Sequence, residues 1–405
     1  MNSNLINPKV LNNINFAKSK TYVIFLDFEA INNWKVKNRK KPKDWLDKDM
    51  PICVTIGWFN LEHNFKTQTI FFNLQNIKRK SFWSESRAIF KNALVRLTGF
   101  KGKITSNNFI FCGWGASLEN KFTNKLVNLP SYSLTDFSIN LDNVSKSFTN
   151  VKNYFDKFIK ANKQNQTIQK NQHKTGFIAS YIGSLMYAYV NGYDWVSRND
   201  YIKYSNYLGQ YNSSDVIKMG LMMKDPEKLN IVLNYFAKKN SQINSVLSSI
   251  NKYKSQVLLF DKFALFKNLT TEQFLNISHW TIVLNIIFPC EKNKKITQKD
   301  LIKLNNNKFL INWSKIKPKN TKCQICSDYC YHELIQLQDK EELNNKIEIE
   351  LNAYKRVCKL INKYAKNESN LIINDIKKII QQKIIQKNNQ YQELVNEKNA
   401  YTYNQ

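Results

Sequence analysis

Residues 22–28 and 52–60 form two short, almost continuous apolar blocks, and residues 67–74 form a third. Blocks of that length, bounded by polar residues, predict strands. From 84 to 97 the period changes: Ala88, Ile89, Phe90, Ala93, Leu94 and Leu97 recur at helical spacing and predict a helix that lays one face on a sheet. A fourth strand is predicted at 108–113. A helix follows through 126, with Ser117 placed to cap its start, and then a short fifth strand at 133–139. Further helices are predicted at 178–190, 214–223 and 226–250, the last with Pro226 near its first turn. Three antiparallel-type strands, then helix, strand, helix and strand, imply a mixed five-stranded sheet covered by helices, an α/β (mixed α+β) core.

The same pattern divides the chain. Residues 1–20 are a polar N-terminal arm, and 21–255 make the main domain, interrupted by a polar, low-complexity loop at 161–175. Residues 256–320 mix apolar and basic segments with little motif content. Beyond them, 321–405 carry a cysteine-rich stretch and a tail from 333 that lacks Pro and Gly, which predicts one or two long helices. Ile347, Ile349, Leu351, Tyr354, Val357, Cys358, Leu360 and Ile361 give the tail an apolar stripe. No strict heptad repeats, so the stripe is expected to dock on the protein's own body rather than to form a coiled coil.

Two residues break the apolar run of the first strand. Asp27 and Glu29 lie two positions apart and therefore leave the same face of the sheet at nearly the same height. Like charges that close call for a compensating cation, and a divalent ion held by oxygen ligands is the usual one in nucleases. Glu119 follows the fourth strand and stands one turn into the next helix, so it points at the same edge if that strand neighbours the first.

Charge adds a partner class. The 405 residues carry a formal net charge of +30, which favours polyanions and makes nucleic acid, DNA or RNA, the expected partner. Lysine supplies nearly all of the excess beside abundant Asn, a composition that A/T-biased coding DNA also produces, so the charge weighs less than its size suggests. The basic run Lys35 to Lys43 follows the acid pair closely enough to touch a nucleic-acid backbone. Aromatic residues make up 13% of the chain, and Tyr187, Tyr189, Tyr193 and Trp195 either stack on bases or build core. The seven cysteines, an odd number without a secretory leader, point to a reducing cytoplasm. The best apolar segment, 280–289, is too short to span a bilayer, so no membrane association is expected.

On the motifs Leu26-Asp27-Phe28-Glu29 and Trp114-Gly115-Ala116-Ser117-Leu118-Glu119, the chain resembles the DEDD exonuclease superfamily of the ribonuclease-H-like fold. Within it, the similarity is to a bacterial branch of predicted exonucleases, and it covers roughly residues 20–250. Gly115 stands where that branch usually has Asn. A degenerate third motif is read at Asp225 to Asn240, where the family has a tyrosine or histidine about a turn ahead of a final aspartate and this chain has Tyr235 and Asn240. The resemblance implies two-metal hydrolysis of phosphodiesters from a 3′ end with Mg2+ or Mn2+. Asp27 would bridge the ions, Glu29 and Glu119 would complete their shells, Tyr235 would orient or deprotonate the attacking water, and Asn240 would be a weak outer ligand. Asp136 and Asp215 are the local alternatives for a fourth carboxylate. Asn240 carries no charge, which leaves a second reading open: a non-cutting module that keeps the fold and binds nucleic acid or protein.

A separate constellation, Cys323, Cys326, Cys330 and His332, has the spacing of a compact Cys3His zinc knuckle, with Cys290 or Cys358 as replacements for one ligand. Free thiols, or an iron–sulfur cluster, are the alternatives.

Overall fold

The computed structural model describes residues 4–32, 34–36, 49–77, 81–135, 139–148, 154–172, 174–276, 279, 282, 301–303, 309–311, 340–366, 368 and 370–401. The expected zinc ligands Cys323, Cys326, Cys330 and His332, together with Cys290, Asp136 and Lys37 to Lys43, lie outside them.

The sheet is built on β1 (Tyr22–Ile31), whose apolar residues fill both of its faces before the carboxylates appear. β2 (Met50–Phe59) pairs antiparallel with β1, and β3 (Phe65–Phe71) antiparallel with β2. On the other side β4 (Phe109–Gly113) runs parallel to β1, and β5 (Ser131–Ser133) parallel to β4. The order β3-β2-β1-β4-β5 is the mixed five-stranded sheet that the hydrophobic pattern predicts. The strand ends shift by a few residues from the sequence expectation. β5 is the most displaced, starting at Ser131 and ending where the expected strand begins.

The two faces of β1 pack differently. Its even positions Ile24, Leu26 and Phe28 join a core with Phe90 of α1 (Phe82–Thr98) and Phe122 of α2 (Ser117–Val127). Phe28 and Phe122 have ring centroids 5.1 Å apart. Its odd positions Val23 and Phe25 join a second core with Phe59, Val216, Met219 and Met222. The last three come from a 26-residue helix, α6 (Arg198–Met223), which crosses that face of the sheet. Ser197 caps the helix, its hydroxyl accepting from the Asp200 N–H at 3.1 Å.

Two glycines let α6 lie close. A Cβ on Gly220 would stand 2.4 Å from the Phe65 ring, and one on Gly57 would stand 2.7 Å from Val216 Cγ1, so any side chain there would push the helix off the sheet. Beside α6, α5 (Thr175–Val190) packs on β1. Two shorter helices, α3 (Leu141–Ser145) and α4 (Tyr154–Ala161), also contact α6.

The chain divides into two compact units. One comprises residues 1–241 and 396–405, the other 242–395. The first therefore ends inside α7 (Pro226–Asp261) rather than at residue 255, and it takes in the N-terminal arm, where Ile6 and Val10 are buried with the second core. The expected loop at 161–175 contains a short helix, Gln166–Lys170, anchored by fully buried Ile168.

In the second unit, the C-terminal part of α7, α8 (Lys340–Tyr364) and α9 (Ile373–Ala400) bury Phe263, Phe274, Tyr354, Val357, Ile361, Ile376 and Ile380 together. The tail's apolar stripe thus packs on the protein's own body, as expected, except that Ile349 stays 59% exposed. Among the described residues no helix is long and apolar enough to cross a membrane.

Candidate active site

Asp27 and Glu29 continue the face of β1 that Val23 and Phe25 bury under α6, and they stand where that apolar contact ends. The helix supplies what meets them. Val216 and Met219 hold α6 to the sheet, and one turn nearer its N-terminus Asn212 and Asp215 fall on the same side. Asn212 is fully buried and its amide nitrogen donates to Asp27 twice, to the backbone oxygen at 3.0 Å and to Oδ2 at 2.5 Å. Asp215 receives the ammonium of buried Lys218 on Oδ1 at 2.7 Å, and the same ammonium donates to Asp142 of α3 at 2.6 Å.

Glu119 reaches the site from the opposite layer. The backbone N–H groups of Glu119 itself and of Phe28 on β1 lie near enough to favour the charged form of its carboxylate. Gly113, the last residue of β4, makes room for it: a Cβ there would lie 2.9 Å from Glu119 Cγ and 3.1 Å from the Leu26 carbonyl oxygen. Position 113, at the end of β4, must have no side chain if Glu119 is to fold back across the strand end.

The four carboxylates act on one another. Burial pushes the Asp27 carboxyl well above the ordinary aspartate range, and the charges of Glu29, Asp215 and Glu119 push it further, while the Asn212 bond opposes them. Burial, then Asp215 and Glu119, raise Glu29 to about 8. Burial raises Glu119 to about 7, with the nearby backbone N–H groups of Glu119 and Phe28 working in the other direction. Asp215 is raised by burial as well, with Lys218 working in the other direction.

In metal-free solution these shifts set the pH dependence of stability. Glu119 and Glu29 bind a proton more tightly in the folded chain than at the usual glutamate value of 4.5 in the unfolded one. Their contribution is complete below that value and is lost as pH rises through about 7 and about 8. The melting temperature of chelator-treated protein is expected to fall from about pH 5.5 to about pH 8.5, and Mn2+ to restore it at the alkaline end. A melting temperature that stays level over this range, with or without Mn2+, would contradict the electrostatics described.

Two tyrosines face the cluster. Tyr207 and Tyr211 of α6 have their hydroxyls pushed upward by burial and then by Glu29 and Asp215, with Asp27 adding to the effect at Tyr211. Their rings are fixed by stacking. Phe158 of α4 lies 3.7 Å from the Tyr207 ring, and the Tyr207 and Tyr211 rings stack at 6.0 Å. The nearby Thr175 side chain works against that upward push at Tyr211. Tyr211 stands four residues ahead of Asp215, one helical turn.

Tyr235 and Asn240, the sequence-based choices for the third motif, are occupied elsewhere on α7. The Tyr235 ring stacks on Tyr401 at 3.7 Å and its hydroxyl donates to the Glu397 carbonyl. Asn240 accepts from Lys398 Nζ at 2.6 Å. Neither is among the groups that act on the four carboxylates. Asp27, Glu29 and Glu119 are therefore brought into one electrostatic neighbourhood, with Asp215 as their fourth member. Asn212, Tyr207, Tyr211 and Lys218 were missed as site residues from the sequence. The signal that could have found Tyr211 is a tyrosine one turn ahead of an aspartate, at 211 and 215 rather than near 240.

The donor set suits a hard cation, because every group is an oxygen ligand. Two buried oxygens at the site, Glu119 Oε2 and Asn212 Oδ1, have no hydrogen-bond partner, although buried polar atoms are nearly always paired. Among the described residues, no group of three or more His, Cys, Asp or Glu side chains is drawn closely enough together to hold a metal ion in this conformation. The carboxylates share a neighbourhood without forming a finished coordination shell. No known protein family matches the chain, and no curated protein is significantly similar to it.

Proposed function

We propose that the chain is a divalent-cation-dependent nuclease that hydrolyses phosphodiester bonds from the 3′ end of a nucleic acid. The observation that carries the proposal is the convergence of Asp27, Glu29, Glu119 and Asp215 in one electrostatic field at the end of β1, with Glu119 buried and the other three half-buried. Four mutually repelling carboxylates, with Glu119 Oε2 and the neighbouring Asn212 Oδ1 unpaired, are costly unless cations neutralise them. Bound Mg2+ or Mn2+ would supply a water of lowered pKa and neutralise charge on the phosphate.

The chain's own groups then have separable tasks. Asp27 lies between the layers, with one carboxylate oxygen held by Asn212, and is the residue able to bridge ions. Glu29 and Asp215 face it from the strand and the helix, and Glu119 closes the third side through its open Oε2. Tyr211 keeps its proton, since burial and the carboxylates push its hydroxyl up, so it acts as a donor that orients the attacking water or a phosphate oxygen. It does not serve as the base. The +30 net charge suits a polyanionic substrate. The non-cutting alternative drew on Asn240, and with Asp215 available the site has a fourth carboxylate without it.

The test is incubation of purified protein with a 5′-labelled single-stranded oligonucleotide in Mn2+ or Mg2+. A ladder shortening from the 3′ end and abolished by chelator is expected. Labelled strands of undiminished length, for both DNA and RNA and with either ion, would refute the proposal.

A further inference from the structure

The buried ammonium of Lys218 is unexplained by the tasks above. Its side chain is 8% exposed, and burying a charge is costly unless it is well paired. The pairing is specific. Lys218 lies three residues beyond Asp215, on the same side of α6, and its Nζ stands 2.7 Å from Asp215 Oδ1 and 2.6 Å from Asp142 Oδ1. Asp142 sits in the first turn of α3, a helix whose N-cap, Asn140, accepts from the Asn143 N–H, and its side chain is 57% exposed. Lys218 is therefore anchored from outside by one carboxylate and grips the other from behind.

We infer that Lys218 is the positioning residue of the site: clamped by Asp142, it holds Asp215 Oδ1 and thereby presents the second oxygen of Asp215 to the cation held with Asp27 and Glu29. This rests on the proposed cation-dependent function. The physical need is clear. Asp215 faces two like charges across a low-dielectric gap, and without an anchored opposite charge its side chain would swing away from them. One lysine bond fixes one oxygen and leaves the other free, which is how outer partners orient metal-ligating carboxylates.

The experiment is a calorimetric Mn2+ titration of chelator-stripped full-length protein as wild type, Lys218→Met, Asp215→Asn and the double variant, with melting temperatures to verify folding. Lys218→Met is expected to weaken Mn2+ binding about tenfold or more. In the Asp215→Asn background the same change should have no further effect, because Lys218 acts only through Asp215. If Lys218→Met does not fold, Asp142→Asn carries the test. It replaces the charged outer acceptor by a neutral one at a largely exposed position, loosening the hold, and should weaken Mn2+ binding in the same direction by a smaller factor. Unchanged Mn2+ affinity in Lys218→Met, or in Asp142→Asn where that variant stands in, beside a loss in Asp215→Asn, overturns the role of Lys218 and leaves the acid site standing. Additive losses in the double variant overturn it too. Undiminished binding in Asp215→Asn itself would overturn the underlying site.

Discussion

Asp27→Asn is expected to lower metal-dependent degradation of a labelled oligonucleotide at least about a thousandfold, equivalent to about 4 kcal/mol of transition-state stabilisation. The substitution is nearly isosteric, and the new side chain keeps an oxygen with which to accept the Asn212 amide. What it removes is the charge at the centre of the cluster, on which Glu29, Asp215 and Glu119 all act. The same change relieves repulsion, so metal-free Asp27→Asn should melt at or above the wild-type temperature near pH 8. A loss of activity with a gain in stability distinguishes a catalytic charge from a structural one. Activity retained in Asp27→Asn would mean that the hydrolysis comes from elsewhere.

The second large effect separates the two assignments of the fourth position. Asp215→Asn keeps the shape and still offers Lys218 an acceptor oxygen, yet it takes one of the four charges from the site. Its activity is expected to fall about a hundredfold or more, and Tyr211→Phe to lose less, in the range of a positioned proton donor. Asn240→Ala and Tyr235→Phe should leave the rate unchanged, because those side chains are engaged with Lys398, Glu397 and Tyr401. The reverse pattern in the same assay would restore the third motif to α7.

The contrast between those positions marks where sequence reasoning succeeded and where it stopped. Strands betray themselves by apolar blocks and helices by period, so the sheet and the pairing of Asp27 with Glu29 were legible. Glu119 was legible because it follows a strand by one turn. The helix carrying Asp215 was not, for a physical reason. Its N-terminal half, Arg198 to Ser213, buries Tyr204, Tyr207 and Asn212 with Leu208 as its one buried aliphatic residue, so a continuous apolar stripe surfaces only near Val216. A start placed at Ser214 leaves Asp215 in the first turn of a short helix, whereas the helix begins sixteen residues earlier at Arg198 behind its Ser197 cap. Asn212 carries no signal of its own in the sequence. Its role comes from the close approach of α6, which Gly57 and Gly220 permit. Tyr235 and Asn240 sit on a helix too, but what covers them arrives from residues 397–401, about 160 positions away.

The central claim is that these carboxylates form a cation site, and it can be tested without knowing the substrate. Chelator-stripped wild-type protein and Asp27→Asn, each titrated with Mn2+ in a calorimeter near pH 8, should differ: saturable binding in the wild type, and binding weakened at least about tenfold in the variant. Identical titrations of the two proteins would contradict the account.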